Sequence, residues 1–292
     1  MPTDLPGLNA CALEETATVV SQTRVADHTY RLRLRCPRVA ALIRPGQFFM
    51  LRDASGVDPL LGRPFALYDV WHEDGRPAGV DLGYHTVGKL TGRMPAWVGG
   101  EHVALWGPLG NGFPELTGER LLFVAGGIGY TPAVAVMRQA LGVRGYAGES
   151  PRQRFDSVEL IYGARTAAMR ADCSDFANQD GFTLSVCTDD GSEGHPGRVT
   201  DLLEQRLSGD RPTAVFTCGP GVMMKAVAQQ CEAAGVDCWL SLESPMACGF
   251  GACFSCVAKV RTDRDPGWDY RRTCVEGPVF PGRELVLSEL NC

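Results

Sequence analysis

Three cysteines crowd the segment ACGFGACFSC (247–256): Cys248, Cys253 and Cys256, in C-x4-C-x2-C spacing, and Cys274 follows in RRTCVEGPVF after a further seventeen residues. Four thiolates in this order match the plant-type pattern for a [2Fe–2S] cluster, with two thiolates on each iron. Zinc is the competing occupant, because four thiolates also suit that ion. Structural zinc sites usually gather their ligands as two short knuckles, whereas here one triplet is completed by one remote cysteine, so the spacing favours the cluster. Gly249 and Gly251 let the loop wrap closely, adopt positive φ and aim N–H groups at sulfide.

A second group of residues suits phosphate. AGGIGYTP (125–132) lies between the apolar run LLFVA (121–125) and a helix-like segment. Gly126, Gly127 and Gly129 allow a phosphate-bearing ligand to approach backbone N–H groups at a helix start, where Thr131 stands. The spacing is not G-x-G-x-x-G, so the standard dinucleotide fingerprint is absent. FTCGPGVMM (216–224) repeats the arrangement, with Cys218, Gly219 and Pro220 at a strand's carboxyl edge, the side on which open α/β sheets bind ligands. Upstream, Arg63 precedes the strand-like Pro64-Phe65-Ala66-Leu67, and a guanidinium there suits a diphosphate. Gly88 and Thr91 in HTVGKLTGRM (85–94) enter a short helix with similar geometry, and GPLGNGF (107–113) reads as a multi-turn connector between domains.

These residues need elements to hold them. In TYRLRLR (29–35), Tyr30, Leu32 and Leu34 alternate with Arg31, Arg33 and Arg35, the pattern of a half-buried antiparallel strand. Similar strands are expected at 17–23, 47–52, 79–84 and 101–106, and short strands at such spacing favour a small barrel. From about 119 the rhythm changes. Apolar runs at 121–125, 158–162, 183–187, 214–218 and 238–242 alternate with helical segments at 131–141, 198–207 and 221–234. That is a parallel sheet covered on both faces. Pro132 suits a first helical turn, and Thr200 is the expected N-cap of the second helix. The polar stretch 142–156 reads as a surface loop, and 257–273 as a hairpin-like excursion that returns the chain to the cluster. The expected layout is therefore multidomain α+β: an antiparallel β-barrel over 1–116, an α/β parallel-sheet domain over 117–240 and a small cysteine-rich domain over 241–292.

Composition narrows the function classes. With 45% hydrophobic and 21% charged residues the 292-residue chain is ordinary globular material, and its net charge of −6 argues against nucleic acid as a partner. The charge-free stretch 121–137 is broken by three glycines and Thr131-Pro132, so no membrane span is expected there. The N-terminal segment MPTDLPGLNA lacks the cationic and apolar regions of a signal peptide. Twelve cysteines then read as reduced thiols or metal ligands, and the cytoplasm as the compartment; Cys11, Cys36, Cys173, Cys187, Cys218, Cys231, Cys238 and Cys292 are scattered, with burial the default for most. His85, His102 and His195 stand alone and read as packing or surface histidines.

The order of these motifs (Arg-Pro strand, Val-Gly-Lys-x-Thr loop, GGIGxTP turn, CGP turn) resembles the ferredoxin–NADP reductase superfamily. With the cysteine tail, GPLGNGF and TDDGSEGHPG (188–197), the chain is similar over about 15–287 to electron-transfer subunits of type B dihydroorotate dehydrogenase. The resemblance implies an FAD-binding barrel, an NAD-binding α/β domain and a [2Fe–2S] domain. It implies that Arg63 holds the FAD diphosphate, that Pro64, Phe65, Ala66 and Leu67 line the isoalloxazine edge, and that Gly88 and Thr91 meet the diphosphate from the other side. Gly126, Gly127, Gly129 and Thr131 would face NAD, and Cys218, Gly219 and Pro220 would flank its nicotinamide end. Cys248, Cys253, Cys256 and Cys274 would hold the cluster, with 277–280 folding back near the flavin. No side chain is expected to act as a catalytic acid or base. NADH gives two electrons as hydride and a [2Fe–2S] cluster takes one, so FAD belongs between them. The implied partner is an FMN-containing TIM-barrel subunit that oxidises dihydroorotate, in a heterotetramer serving pyrimidine synthesis. The alternative is a related FAD/[2Fe–2S] reductase subunit serving ferredoxin, a sulfur-reducing or hydrogenase complex, or an oxygenase. Relatives often carry Ser or Thr where Ala66 stands, and Asp where Glu276 stands, and the loops 142–156 and 261–270 are longer than usual. Asp189 and Asp190, set against Arg165, favour NADH over NADPH.

Overall fold

Seven strands of the amino-terminal half form one antiparallel sheet in the computed structural model, which describes residues 11–290 except 55, 57 and 175. The amino-terminal segment MPTDLPGLNA and Cys292 lie outside the described residues. The strands are β1 (Leu13–Ala26), β2 (Thr29–Arg35), β3 (Phe48–Asp53), β4 (Arg63–Ala66), β5 (Asp69–Glu73), β6 (Arg76–His85) and β7 (His102–Leu109), with short helices α1 (Pro37–Ala40) and α2 (Lys89–Arg93) between them. Their order is β4-β3-β7-β1-β2-β6-β5. The alternation in β2 behaves as pleating requires: Leu32 and Leu34 enter the core with Phe49, Leu51, Val80 and Leu82, while Arg33 turns out to pair with Asp81. β5 was not expected from the sequence, since DVWHE offers only five residues, two of them acidic.

The second sheet contains β8 (Gly118–Gly126), β9 (Phe155–Ala164), β10 (Phe182–Thr188), β11 (His195–Pro196), β12 (Ala214–Cys218) and β13 (Cys238–Ser241). These pair in parallel in the order β11-β10-β9-β8-β12-β13. Helices α3 (Thr131–Ala140), α4 (Val199–Ser208) and α5 (Gly221–Ala234) cover it. Alternate residues of β8 face opposite ways: Phe123 and Ala125 pack with α3, Leu122 and Val124 with α4 and α5. Burial on both faces explains the uninterrupted apolar runs. Beyond β13 the chain forms a hairpin of β14 (Val257–Arg261) and β15 (Trp268–Arg272), then β16 (Val279–Pro281), which joins β13 antiparallel and completes the second sheet from within the tail. The expected α+β architecture is the one the chain adopts. No helix among the described residues is long and apolar enough to cross a membrane.

Two local expectations are corrected. Arg198, not Thr200, is the N-cap of α4; its backbone N–H is accepted by the Asp201 carboxylate at 2.8 Å, so the acidic third residue caps the helix in place of a hydroxyl. The 142–156 stretch is not merely a surface loop, because Tyr146 is buried in the core of the first sheet.

Glu159 on β9 is buried and receives Arg206 at 2.9 Å, Arg120 at 2.5 Å and Ser185 at 2.7 Å. Burial alone would raise its pKa, but hydrogen bonds from Arg206, Ser185 and Arg120 outweigh that and hold it below the ordinary glutamate value. The stabilisation is therefore present above the unfolded glutamate pKa of about 4.3 and is lost as pH falls through the lower folded value. Glu159→Gln is expected to destabilise the fold by roughly 3 kcal/mol at neutral pH. Urea midpoints against pH check this; a wild-type midpoint and acid limb in the variant would contradict it.

Candidate functional site

The four cysteines come together as two pairs. Cys248 lies beside Cys253, and Cys256 beside Cys274, close enough that each pair shifts in its affinity for protons. Among the described residues no three His, Cys, Asp or Glu side chains converge on a single point. The Ser255 hydroxyl, 3.1 Å from the Cys253 sulfur, and then Cys248 draw the Cys253 thiol down to about 6. Cys274 draws Cys256 down to about 6 and, holding the proton between them, is itself raised. Two thiols thus already favour the thiolate form that iron binds.

The loop is shaped by its neighbours. Gly249 has φ +78°, and a Cβ there would sit 2.5 Å from Met50 Cγ, so only glycine lets the loop lie on the barrel. Arg272 clamps the far side, binding Glu276 at 2.9 Å and the Gly251 carbonyl at 3.3 Å. Cys256 and Cys274 are buried against Phe48, Met50 and Leu109, whereas Cys253 is exposed.

The strand carrying Arg63 pairs with β3, against which this loop rests at Met50. Arg63 opens β4, and its guanidinium donates to the Leu61 and Gly62 carbonyls at 3.1 and 3.0 Å, with no carboxylate paired to it among the described residues. Phe65 and Leu67 turn into the barrel core, so Leu67 offers a ligand only its backbone. Pro64 and Ala66 occupy the opposite, half-buried face. Across the ladder Ala66 pairs with Phe48 and Pro64 with Met50, and directly opposed residues share a face. Pro64 and Ala66 therefore sit on the face of the sheet that packs against Cys256 and Cys274. Gly88 is the N-cap of α2, and the Thr91 hydroxyl accepts the Gly88 N–H at 3.0 Å.

The glycine turn and the CGP turn meet at the carboxyl edges of adjacent strands. Gly126 ends β8, Gly127 begins a single tight turn, and Thr131 opens α3 with Pro132 in its first turn. A Cβ on Gly129 would overlap the Cys218 carbonyl oxygen, so glycine is what lets the turn close onto β12. Gly219 and Pro220 follow β12 and lead into α5. The Cys218 side chain is buried in the sheet core, and burial followed by the charge of Glu243 pushes its thiol up. It offers a ligand backbone only.

Three residues went unrecognised in the sequence. Trp106 on β7 donates its indole N–H to the Cys248 carbonyl at 3.0 Å, tying the barrel to the cluster loop. Asn111, inside GPLGNGF, holds the returning chain: Nδ2 donates to Glu276 and Val279 carbonyls at 3.0 and 2.8 Å, and Oδ1 accepts the Val279 N–H at 3.0 Å. Its motif was visible, but its partners were not. Glu243, just after β13, lines a cleft of about 190 Å³ with Leu242, Ser244, Lys259 and Thr273.

Residues 243–286 match the family described as the iron–sulfur cluster binding domain of dihydroorotate dehydrogenase B, and 123–229 match the oxidoreductase NAD-binding domain. Among solved structures, the chain superposes on an NADH-dependent reduced ferredoxin–NADP oxidoreductase with TM-score 0.76 and 23% identity, over 94% of this chain and 91% of that one. A ferredoxin–NADP⁺ reductase from Neisseria gonorrhoeae, solved with FAD and NADP, gives TM-score 0.60 at 18% identity over 78% and 93%. The fold is that of the ferredoxin reductases. Dihydroorotate dehydrogenase B (NAD⁺) electron transfer subunits from Geobacillus thermodenitrificans and Bacillus caldolyticus are each 39% identical over 279 residues, covering 94% of this chain and 98% of the relative. The chain belongs to the family of dihydroorotate dehydrogenase B electron transfer subunits, and is thus a component of an NAD-linked oxidoreductase.

Proposed function

We propose that this chain carries electrons between NAD and an FMN-containing TIM-barrel partner that oxidises dihydroorotate, in a heterotetramer working in the cytoplasm. The observation that carries the reading is the shared face of β3 and β4: the pairings Phe48↔Ala66 and Met50↔Pro64 put the strand expected to line a flavin on the face of the sheet where Phe48 and Met50 pack with Cys256 and Cys274. The division into a barrel over 1–116, an NAD domain over 117–240 and a cluster domain over 241–292 is part of this proposal. Cys36, Cys187, Cys218, Cys231 and Cys238 are buried thiols outside the four-cysteine set, which suits a reducing compartment.

FAD, when bound, supplies the exchange of a hydride pair for single electrons. The chain's own residues bind and orient. Arg63 would hold the FAD diphosphate with Gly88 and Thr91 at its far side, while Pro64 to Leu67 border the ring. Gly126, Gly127, Gly129 and the start of α3 at Thr131 would receive NAD, with Cys218, Gly219 and Pro220 at its nicotinamide end. Cys248, Cys253, Cys256 and Cys274 would ligate the cluster. Asp189 and Asp190, at the carboxyl edge of β10, would favour NADH over NADPH by opposing a 2′-phosphate. Co-purification tests the acceptor: an FMN-containing, dihydroorotate-oxidising subunit is expected, and a hydrogenase or oxygenase subunit would contradict the assignment. Arg63→Ala is expected to weaken FAD binding about 10- to 100-fold, since it removes a charge-assisted contact to phosphate. Fluorescence titration of the flavin-free protein measures this, and unchanged affinity would remove Arg63 from the site.

A further inference from the structure

One buried carboxylate ties the strand expected to line the flavin to the helix whose start is expected to receive NAD. Asp69 opens β5 only three residues after Ala66. Its Oδ2 accepts Arg138 and, at 2.5 Å, Arg144, while Oδ1 accepts the Tyr146 hydroxyl at 2.7 Å. Arg138 lies in the last turn of α3, seven residues after Thr131, and Arg144 and Tyr146 follow in the 142–156 segment. The helix lies along the barrel edge at its other positions too. Tyr130 meets Tyr68 edge-to-face at 6.0 Å, the Thr131 methyl fills the space a Cβ on Gly83 would need, and Ala135 is buried in the core of the first sheet. At the carboxyl end of α3, polar bonds replace this packing, and they converge on Asp69.

We propose that Asp69 is a positioning residue that sets the register between the 63–67 strand and the 126–131 turn, and hence between the flavin and nicotinamide rings. The proposal rests on the cofactor placement given above. The physical reason is that two guanidiniums with little solvent exposure share one carboxylate; neutralising it removes the charge that draws both to β5 and loosens the helix end. Reaction between two bound rings is steep in their separation, and a displacement of about 1 Å costs on the order of 100-fold.

Asp69→Asn and Tyr146→Phe, made in the full chain loaded with FAD and cluster, test this. The readouts are flavin reduction at saturating NADH, the long-wavelength absorbance of stacked nicotinamide and flavin, and hydrogen exchange across α3. Asp69→Asn is expected to slow flavin reduction about 10- to 100-fold, weaken the stacking absorbance and speed exchange in α3, with FAD and iron content unchanged. Tyr146→Phe keeps both ion pairs and is expected to slow the step about fivefold. A wild-type rate and stacking absorbance in Asp69→Asn would overturn the proposal, even if that variant melts earlier. Should Asp69→Asn fail to fold, wild-type rate and exchange in Tyr146→Phe would overturn it. A wild-type protein that binds no FAD, or whose flavin NADH does not reduce, would instead overturn the cofactor placement and this proposal with it.

Discussion

Cys274→Ser is expected to produce a protein that keeps its flavin and its reduction by NADH but delivers no electrons onward. Of the four cysteines proposed to hold the cluster, Cys274 alone lies outside the 248–256 loop, and it reaches Cys256 only because β14 and β15 fold back on each other. The Thr273 N–H and hydroxyl, at 2.6 and 2.9 Å from the Cys256 carbonyl, fix that approach. A serine oxygen is a harder and less acidic ligand than a thiolate, so one iron loses a soft partner. Loss of an outer-shell partner alone costs about 10- to 100-fold in metal affinity, and a direct ligand should cost more. One-electron acceptor turnover is expected to fall roughly 100-fold or more, while flavin reduction by NADH changes little. Iron analysis and visible spectra check it, with the buried Cys187→Ser as control. A full cluster spectrum in Cys274→Ser would remove this residue from the ligand set.

Asn111→Ala has the second largest expected effect, although Asn111 touches no cysteine. Its side chain makes three hydrogen bonds to the backbone of 276–279, and its own N–H donates to the Gly277 carbonyl at 2.6 Å. These bonds hold the segment between Cys274 and β16, so they join the barrel, the cluster loop and the second sheet. Removing the side chain strands backbone groups, each costing on the order of 1–3 kcal/mol when buried without a partner. Partial relaxation brings the expected loss to about 3 kcal/mol, together with faster iron release. Asn111→Asp is expected to be no better, since a carboxylate accepts the Val279 N–H but cannot donate to the two carbonyls. Urea unfolding and the half-life of the cluster absorbance measure both effects. Unchanged values in Asn111→Ala would show that the returning chain is held by β16 pairing alone.

What the sequence revealed, and what it withheld, divides along the range of the interactions. Period-two alternation in 29–35 and the apolar runs of the second sheet are local signals, and the strands formed where those signals lie. The helix expected over 221–234 has those same limits in the structure. The C-x4-C-x2-C spacing was equally visible, because it too is written along the chain. Contacts between distant segments were not. Trp106 and Cys248 are separated by 142 positions and Asn111 and Val279 by 168, and no periodicity reports such pairs. Tyr146 sits in a polar, Gly- and Pro-marked stretch whose composition says surface, yet a single carboxylate on β5 draws it inward. β16 was hidden for a similar reason: three residues become a strand only because the edge of β13 is there to pair with them.

On this reading NADH electrons cross from a flavin beside β4 to a cluster held by Cys248, Cys253, Cys256 and Cys274, the last two of which pack on the same face of the sheet. An anaerobic NADH titration of the purified chain tests it most directly, followed by visible absorption and electron paramagnetic resonance, with iron, zinc and flavin analysis of the same sample. Iron and FAD are expected in a ratio of about two to one. The flavin band should bleach and a reduced-cluster resonance then grow in the same molecules. Zinc in place of iron, or a flavin that bleaches fully while the cluster stays oxidised in the presence of excess NADH, would contradict it.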